Sequence, residues 1–426
     1  MSPILIGIIL VGGLAAGMPI YVVLGMLAAL LFWHEGTPLI SLAQLYIDHL
    51  NSITLLAIPF FVISATFMQR GGIARALVDW ANAWIGRFQG GLAIVCVVAT
   101  TIFAAISGSS VATAMAMGLI LIPAMNQQNY DKKFSIGLVG ASGTLGILIP
   151  PSLAFIVFAI VAGESIPRLF LAGVIPGLIQ AALFIGYSVY VARKHGYPRT
   201  KPLAADAFRQ VNFHAIPALA VPVIILGGIY SGIVTVSEAA GLAALVSIVV
   251  SVFVYKGCKV REVVPLLGDS MKSTAAIVFI IFSALGFGHW LTGSGLPQQL
   301  ADLAVSSNLK DWQFLIFVNV IFLILGTFLE VFAIMLITLP IILPLLGPLG
   351  IDPIHFAVLM TINMELALLT PPIGLNLFVL SSISRAPLRD VIVGSVPFLL
   401  LLLALLIAVT YIPIISLWLP NLVYGQ

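Results

Sequence analysis

Read along the chain, apolar positions gather into long blocks separated by short polar stretches. Blocks able to cross a hydrocarbon layer, about 20 residues, occupy 3–33, 52–69, 168–192, 214–231, 237–255, 273–291 and 391–418. Two more, 134–163 and 354–383, each carry a double proline near the middle, at Pro150-Pro151 and Pro371-Pro372. Proline lacks an N–H, and its ring displaces the carbonyl four residues back. The carbonyls of Gly146 and Ile147, and of Ala367 and Leu368, are therefore predicted to lose their helical partners. Two further blocks, 90–125 and 312–345, are too long for one helix. Each is interrupted near its middle, the first by Ser107-Gly-Ser-Ser110, the second by Gly326-Thr327 with Glu330 beyond. Their arms are short for full spans, so each is predicted to be a re-entrant hairpin, with two complete spans as the alternative.

Composition agrees with the pattern. Of 426 residues 61% are hydrophobic and 8% charged, with a mean hydropathy of +1.19. Soluble domains carry about a quarter charged residues, so the fold class is an all-α polytopic membrane protein. The two cysteines, Cys96 and Cys258, lie in or beside apolar blocks and read as packing residues. The N-terminal block is longer than a signal-peptide core and has no basic region before it, which favours a retained span. With the N-terminus in the cytoplasm and each hairpin returning to its own side, 16 of the 18 Lys and Arg residues fall inside, Lys201 among them. Arg168 and Lys310 fall outside, as does the C-terminus up to Gln426.

The chain also repeats. Gly71-Gly-Ile-Ala-Arg-Ala-Leu77 returns as Ser294-Gly-Leu-Pro-Gln-Gln-Leu300, and the double prolines recur at an offset of 221 residues. This divides the chain into repeat 1 (1–192), a linker with a connecting span (193–236) and repeat 2 (237–426). The extra span makes the second copy inverted. Residues 72–88 and 295–309 mix apolar and charged positions as interfacial helices do, or as ordinary loop helices. The run 193–211 reads as a solvated cytoplasmic linker without a nucleotide fingerprint.

Broken spans at corresponding places in two halves point to the ion and substrate sites of a transporter. Serine hydroxyls and backbone carbonyls are hard oxygen donors suited to Na+, and glycine lets backbone approach a ligand. The first candidate cation site collects Ser107, Ser110, Gly146, Ile149 and Pro151; the second collects Gly326, Thr327, Ala367, Thr370 and Ile373. A small-residue helix-packing surface is the alternative for the serine tip. Glu330 and Glu365 are acids deep in apolar segments, costly and functional by default; a cation neighbour, a proton relay and a structural cap are all open for them, and they are read as acids that support the site. Glu238 opens a span and reads as a dipole partner. An anionic substrate between the tips would meet Ser109, Thr144, Asn363 and Asn376, because inward-facing half-helix N-termini favour anions. His289 and Trp290 form an interface pair at a span end. An intramembrane enzyme would need paired acids with a His or Lys at one depth, and no such set is present in the sequence. A stand-alone carrier and a channel remain as alternatives.

Four segments together carry a resemblance: Ala57-Ile-Pro-Phe-Phe61 leading to Met68-Gln-Arg-Gly-Gly72, the Ser107–Ser110 tip, Gly146-Ile-Leu-Ile-Pro-Pro151 and Leu369-Thr-Pro-Pro-Ile-Gly-Leu-Asn376. The chain resembles, over nearly its whole length, the large membrane subunit of tripartite ATP-independent periplasmic (TRAP) transporters, the DctM type. The resemblance implies Na+-coupled import of an organic acid, such as a C4-dicarboxylate or sialic acid, across a bacterial inner membrane, with two or more coupling ions. It implies two partners, a periplasmic substrate-binding protein and a small four-helix membrane subunit, and no nucleic acid. It implies an elevator motion and places the family's sodium sites at the tips and breaks named above. Ala367 stands where the family often has glycine, so the geometry of the second site is the departure to examine.

Overall fold

The computed structural model describes residues 3–50, 52–200, 202–307 and 310–425. Lys201 and Gln426, used above to orient the chain, lie outside the described residues. Within them the chain is helical and builds one large apolar core, with a small second cluster around Ile63, Phe67, Val252 and Leu266. The first half runs α1 (Pro3–Ala15), α2 (Ile20–His34), α3 (Leu39–Leu50), α4 (Ala57–Arg70), α5 (Ile73–Ile85), α6 (Gly91–Ser107), α7 (Ser110–Gln127), α8 (Lys132–Thr144), α9 (Leu153–Ala162) and α10 (Ile166–His195). It continues with α11 (Ala205–Tyr230), α12 (Val236–Val249), α13 (Val263–Gly293), α14 (Leu296–Ser306), α15 (Asp311–Gly326), α16 (Val331–Leu346), α17 (Pro353–Leu368), α18 (Leu375–Ser384), α19 (Leu388–Tyr411) and α20 (Ile414–Tyr424).

Several blocks depart from the expected spans. The block 3–33 is two helices, because Gly17 turns through the left-handed region at φ +78 and Pro19 starts α2 without an N–H. The block 391–418 is likewise divided into α19 and α20, with Pro413 following the divide. Helix α3 was not foreseen; it mixes polar and apolar residues and buries only Leu42. The polar linker is partly helical, since α11 already begins at Ala205. Helix α13 runs well beyond 273–291 at its N-terminal end, where Asp269 and Lys272 pair in solvent-exposed positions. The two segments expected at an interface are helices: α5 buries Ile73, Ala74, Ala76, Leu77, Val78 and Ala81 on one face, and α14 is its counterpart in position along the chain. Cys96 and Cys258 are buried and unpaired with each other. Glu238 closes a capping box with Thr235 at the start of α12 (Thr235 N to Glu238 Oε2 2.8 Å), which confirms its structural role.

Two helix pairs form a frame. The Ser64 and Ser247 hydroxyls meet at 2.8 Å, Ser251 Oγ donates to Phe67 O at 2.9 Å, and Ser237 Oγ donates to Ile53 O at 2.6 Å. Contacts advancing together along both chains mean that α4 and α12 lie parallel. In the same way Ser283 Oγ donates to Tyr21 O at 2.8 Å and Trp290 Nε1 donates to Glu35 Oε1 at 2.6 Å, so α2 and α13 also run parallel. Small hydroxyl residues allow this close packing between apolar helices. Gly25 sits beside Ser283 for the same reason, since a Cβ there would lie 3.2 Å from its hydroxyl.

The helices that lead into the two breaks pack elsewhere, α8 against α6, α7 and α19 and α17 against α10, α15 and α19. Every residue from Phe134 to Ala159 is buried, as is every residue from Ile354 to Leu369. Helices α8 and α17 are thus buried beyond their first residues, and the buried polar residues Ser135, Ser142, Thr144, His355, Thr361, Asn363 and Glu365 lie on them.

Candidate cation sites at two helix breaks

The first break is built by α8, a short 3-10 turn at Leu145–Ile147 and α9. The tip between α6 and α7 packs against it. Gly108 turns at φ +61, and a Cβ on it would lie 3.2 Å from Pro151 O. A Cβ on Gly146 would lie 2.9 Å from Ser109 O and 3.0 Å from Thr113 Oγ1. These two glycines let tip and break meet backbone to backbone. Ser107 and Ser110 are buried, and Ser110 Oγ accepts a hydrogen bond from Asn376 Nδ2 at 2.7 Å. Ser107 Oγ lies 3.4 Å from Ser109 O. Ser109 caps α7 by accepting from Ala112 N at 3.4 Å. Thr113 Oγ1 and Asn376 Oδ1 are buried without a hydrogen-bond partner.

Of the two carbonyls expected to be freed here, Ile147 O is taken: Ser152, the N-cap of α9, donates its hydroxyl to it. That corrects the expectation for Ile147. Gly146 faces the tip, with Ile149 and Pro151 following in the break. The oxygens gathered at this point belong to neutral hydroxyls, carbonyls and an amide. This is the donor set that unwound helices offer a monovalent hard cation, and buried oxygens without a hydrogen-bond partner, Thr113 Oγ1 and Asn376 Oδ1, are the kind such an ion can take. Na+ fits it.

The second break lies between α17 and α18, faced by the turn between α15 and α16. Ile373 N donates to Thr327 O at 3.3 Å, which pins tip to break. Thr370 N donates to Ala367 O at 3.1 Å, so this carbonyl too is partly engaged; a carbonyl keeps a second lone pair. Thr370 Oγ1 donates to Leu366 O at 2.6 Å, and Thr327 Oγ1 donates to Ile324 O at 2.8 Å. Gly374, at φ +29, stands where a Cβ would be 2.9 Å from Thr370 O and 3.2 Å from Leu368 O, so these two carbonyls converge. Gly326 packs directly on Ala367, and a Cβ on Gly326 would collide with the Cβ of Ala367. The departure noted in the sequence is therefore compensated. At the first break the glycine is on the broken helix, at Gly146; at the second it is on the tip. Pro371, Pro372 and Ile373 are exposed, whereas the first break is fully buried.

The remaining residues sort themselves. Glu330 is the N-cap of α16. Glu365 is fully buried; its Oε2 lies 3.2 Å from Thr144 Oγ1, and Oε1 is unpartnered. Thr144 Oγ1 also reaches Ala141 O at 2.8 Å and accepts from Gln180 Nε2 at 3.1 Å. Asn363 Nδ2 donates to Asn319 O at 3.0 Å and to Asn319 Oδ1 at 2.9 Å, and Asn319 Nδ2 donates to Thr410 Oγ1 at 3.1 Å. Of the four expected substrate contacts, then, Ser109 and Asn376 lie at the first tip, Thr144 lies in the Glu365 cluster, and Asn363 is tied to α15 and α19. Thr113, Gln180 and Asn319 were missed. Each carried a signal: Thr113 is one turn beyond Ser110 on the same helix face, and Gln180 and Asn319 are isolated amides inside apolar blocks.

Long apolar helices, two breaks each facing a helical turn, and oxygen clusters at those breaks define a polytopic membrane transporter. A solved transporter from Alcanivorax borkumensis, YdaH, shares the fold with a TM-score of 0.61 at 15% identity, covering 89% of this chain and 87% of its own. The chain belongs to the DctM component family of the tripartite ATP-independent periplasmic transporters, whose model matches residues 7–415. It is 45% identical to the C4-dicarboxylate TRAP transporter large permease protein DctM of Pseudomonas aeruginosa, over 93% of this chain and 92% of that one. It is 38% identical to the protein of the same name from Rhodobacter capsulatus, over 99% of each. It is a transporter permease and not an enzyme.

Proposed function

We propose that this permease imports a small dicarboxylate driven by Na+, taking it from a periplasmic binding protein and working with a small membrane subunit. The relatives named for C4-dicarboxylates support the substrate class. A tripartite family supports the two partners. In this reading the N-terminus is in the cytoplasm of a bacterial cell and the C-terminus in the periplasm. Residues 1–192 and 237–426 are inverted repeats, and α6–α7 and α15–α16 are re-entrant hairpins. The observation that carries the reading is a contact made twice. At each break, the residue four before the first proline packs against its own tip, Gly146 on Ser109 and Ala367 on Gly326.

Bound Na+ would supply positive charge at the two breaks, next to where a carboxylate must sit, since no Lys or Arg is among the buried residues of the described chain. The chain's own residues do the rest. Ser107, Ser110, Gly146, Ile149 and Pro151 hold the first ion, with Thr113 added. Gly326, Thr327, Ala367, Thr370 and Ile373 hold the second. Ser109 and Asn376 are at the first tip, where a substrate carboxylate would reach them. The hydrogen bond from Asn376 to Ser110 joins the second broken helix to the first tip. Tips and breaks then move together as one body against the α2–α13 and α4–α12 frame, carrying ions and substrate across.

The test is uptake into proteoliposomes holding the permease, the small subunit and a binding protein loaded with succinate. Ser110→Ala and Thr370→Ala should each raise the Na+ concentration for half-maximal uptake by roughly tenfold, since a lost ligand to a charge is worth about 1.5 kcal/mol or more. An unchanged Na+ dependence in both removes these hydroxyls as ligands. Uptake at full rate without the other two components would overturn the requirement for partners.

A further inference from the structure

Thr144 and Glu365 are 221 residues apart, the same offset that separates the two double prolines. Each stands six residues before its Pro-Pro pair. They therefore occupy corresponding places in the two halves, and they touch, Thr144 Oγ1 to Glu365 Oε2 at 3.2 Å. Two corresponding residues can meet only on the axis that exchanges the halves. Both are fully buried, and so is Gln180, whose amide donates to Thr144 from α10.

From this juxtaposition we propose that Glu365 is the shared counter-charge of both cation sites, placed on the axis so that each break sees it from a similar distance. It is not itself a ligand. The proposal rests on the reading of the two breaks as Na+ sites. A buried carboxylate without a cationic partner is costly, and the ion pairs Lys133–Asp390 and Lys272–Asp269 are both at the surface, away from Glu365. The side chains that face Glu365 are those of Thr144 and Gln180, which are neutral. Positive charge at the breaks is what compensates it. Gly146 and Ala367, at the two breaks, are each two residues along from Thr144 and Glu365, so a separation of roughly 9 Å from carboxylate to ion is taken for the order of magnitude. At that separation, with an effective dielectric near 20, one charge changes the affinity for a monovalent ion by on the order of 20-fold. Thr144 and Gln180 are positioning residues: they hold the carboxylate on the axis between α8, α10 and α17.

The experiment uses the purified full chain in nanodiscs and Na+ alone, read by 22Na+ equilibrium binding and by thermal unfolding in NaCl against choline chloride. Glu365→Gln should move the whole Na+ binding curve to concentrations on the order of 20-fold higher, with its shape kept, and should leave the choline melting temperature little changed. Ser110→Ala should instead split the curve, weakening one ion. The exchange variant, Thr144→Glu with Glu365→Thr, puts the carboxylate back on the axis from the other half and should restore most of the affinity. A Glu365→Gln curve that splits, or one that does not move, overturns the shared role, and so does an exchange variant that folds without recovering affinity. Should Glu365→Gln not fold, the exchange variant decides by the same comparison. A wild-type chain that does not bind Na+ fails the two-site reading itself, which is a different result from any of these.

Discussion

The packing of Gly326 on Ala367 makes a prediction that can be followed closely. Substituting Gly326→Ala places a Cβ against the Cβ of Ala367. Both atoms are fixed to helix backbone, at the ends of α15 and α17, so neither can rotate away. The third neighbour, Ile334 Cδ1, is 3.6 Å off and makes ordinary contact. The clash is relieved only by lifting the tip, which stretches the 3.3 Å hydrogen bond from Ile373 N to Thr327 O. Overpacking of this kind costs about 1–3 kcal/mol. Thermal unfolding in detergent should show Gly326→Ala melting lower than wild type, with less stabilisation by NaCl over choline chloride. Ala367→Gly removes the obstructing methyl. The double variant should therefore recover most of the loss, a coupling of about 1–3 kcal/mol in a double-mutant cycle. At the first break the equivalent Gly146→Ala meets the carbonyl of Ser109, which no side-chain change can remove, so no single substitution at 109 should rescue it. If Gly326→Ala is neutral, or if Ala367→Gly fails to rescue it, the claim that this glycine replaces the one missing from the second break is refuted.

Other outcomes follow from the same contacts. Asn319→Leu removes Oδ1, one of the two acceptors of the buried Asn363 amide, and leaves the other, the backbone carbonyl of residue 319; it should destabilise the chain by about 1 kcal/mol, seen as a lower melting temperature with unchanged Na+ affinity. Burial pushes the Asp79 carboxyl on α5 above the ordinary carboxylate range, partly offset by Arg75 and His214. A raised carboxylate favours folding while protonated and loses that contribution as pH rises through its folded value. Asp79→Asn should therefore be slightly stabilising at pH 7, within about 0.5 kcal/mol as surface changes usually are, and the gain should fade in acid below the ordinary Asp range. A gain that persisted unchanged in acid would contradict the burial argument. Single cysteines at 201 and 426 in a variant lacking Cys96 and Cys258 should label from the cytoplasm and from the periplasm respectively; the opposite pattern reverses the proposed orientation.

The sequence made the two breaks legible because proline chemistry is local: a missing N–H acts on the carbonyl four residues back wherever the chain goes. What it left out are contacts set by the neighbour. Ser152 was not seen as the donor that takes Ile147 O, because capping depends on where α9 starts. Ala367 looked like a flaw until Gly326 was found against it, and no reading of one segment contains that compensation. Asn363 reads as a substrate contact in sequence, yet its amide is held by Asn319, 44 residues away on another helix. The blocks 3–33 and 391–418 were drawn too long because hydropathy does not fall at Gly17 or Pro413, although the backbone turns beside them.

In the proposed inverted-repeat reading, the meeting of Thr144 with Glu365 bears on how such a molecule can arise. In a dimer of identical subunits a residue on the two-fold axis meets its own copy, so a carboxylate there would face a second carboxylate and a threonine a second threonine. The first arrangement repels itself, and the second carries no charge. Joining two halves in one chain lifts that restriction, because each can then change alone. The centre can hold a single acid with a hydroxyl opposite it, and Gln180, from a helix on one side only, can settle on the hydroxyl. Covalent fusion lets a symmetric frame keep an odd charge at its middle.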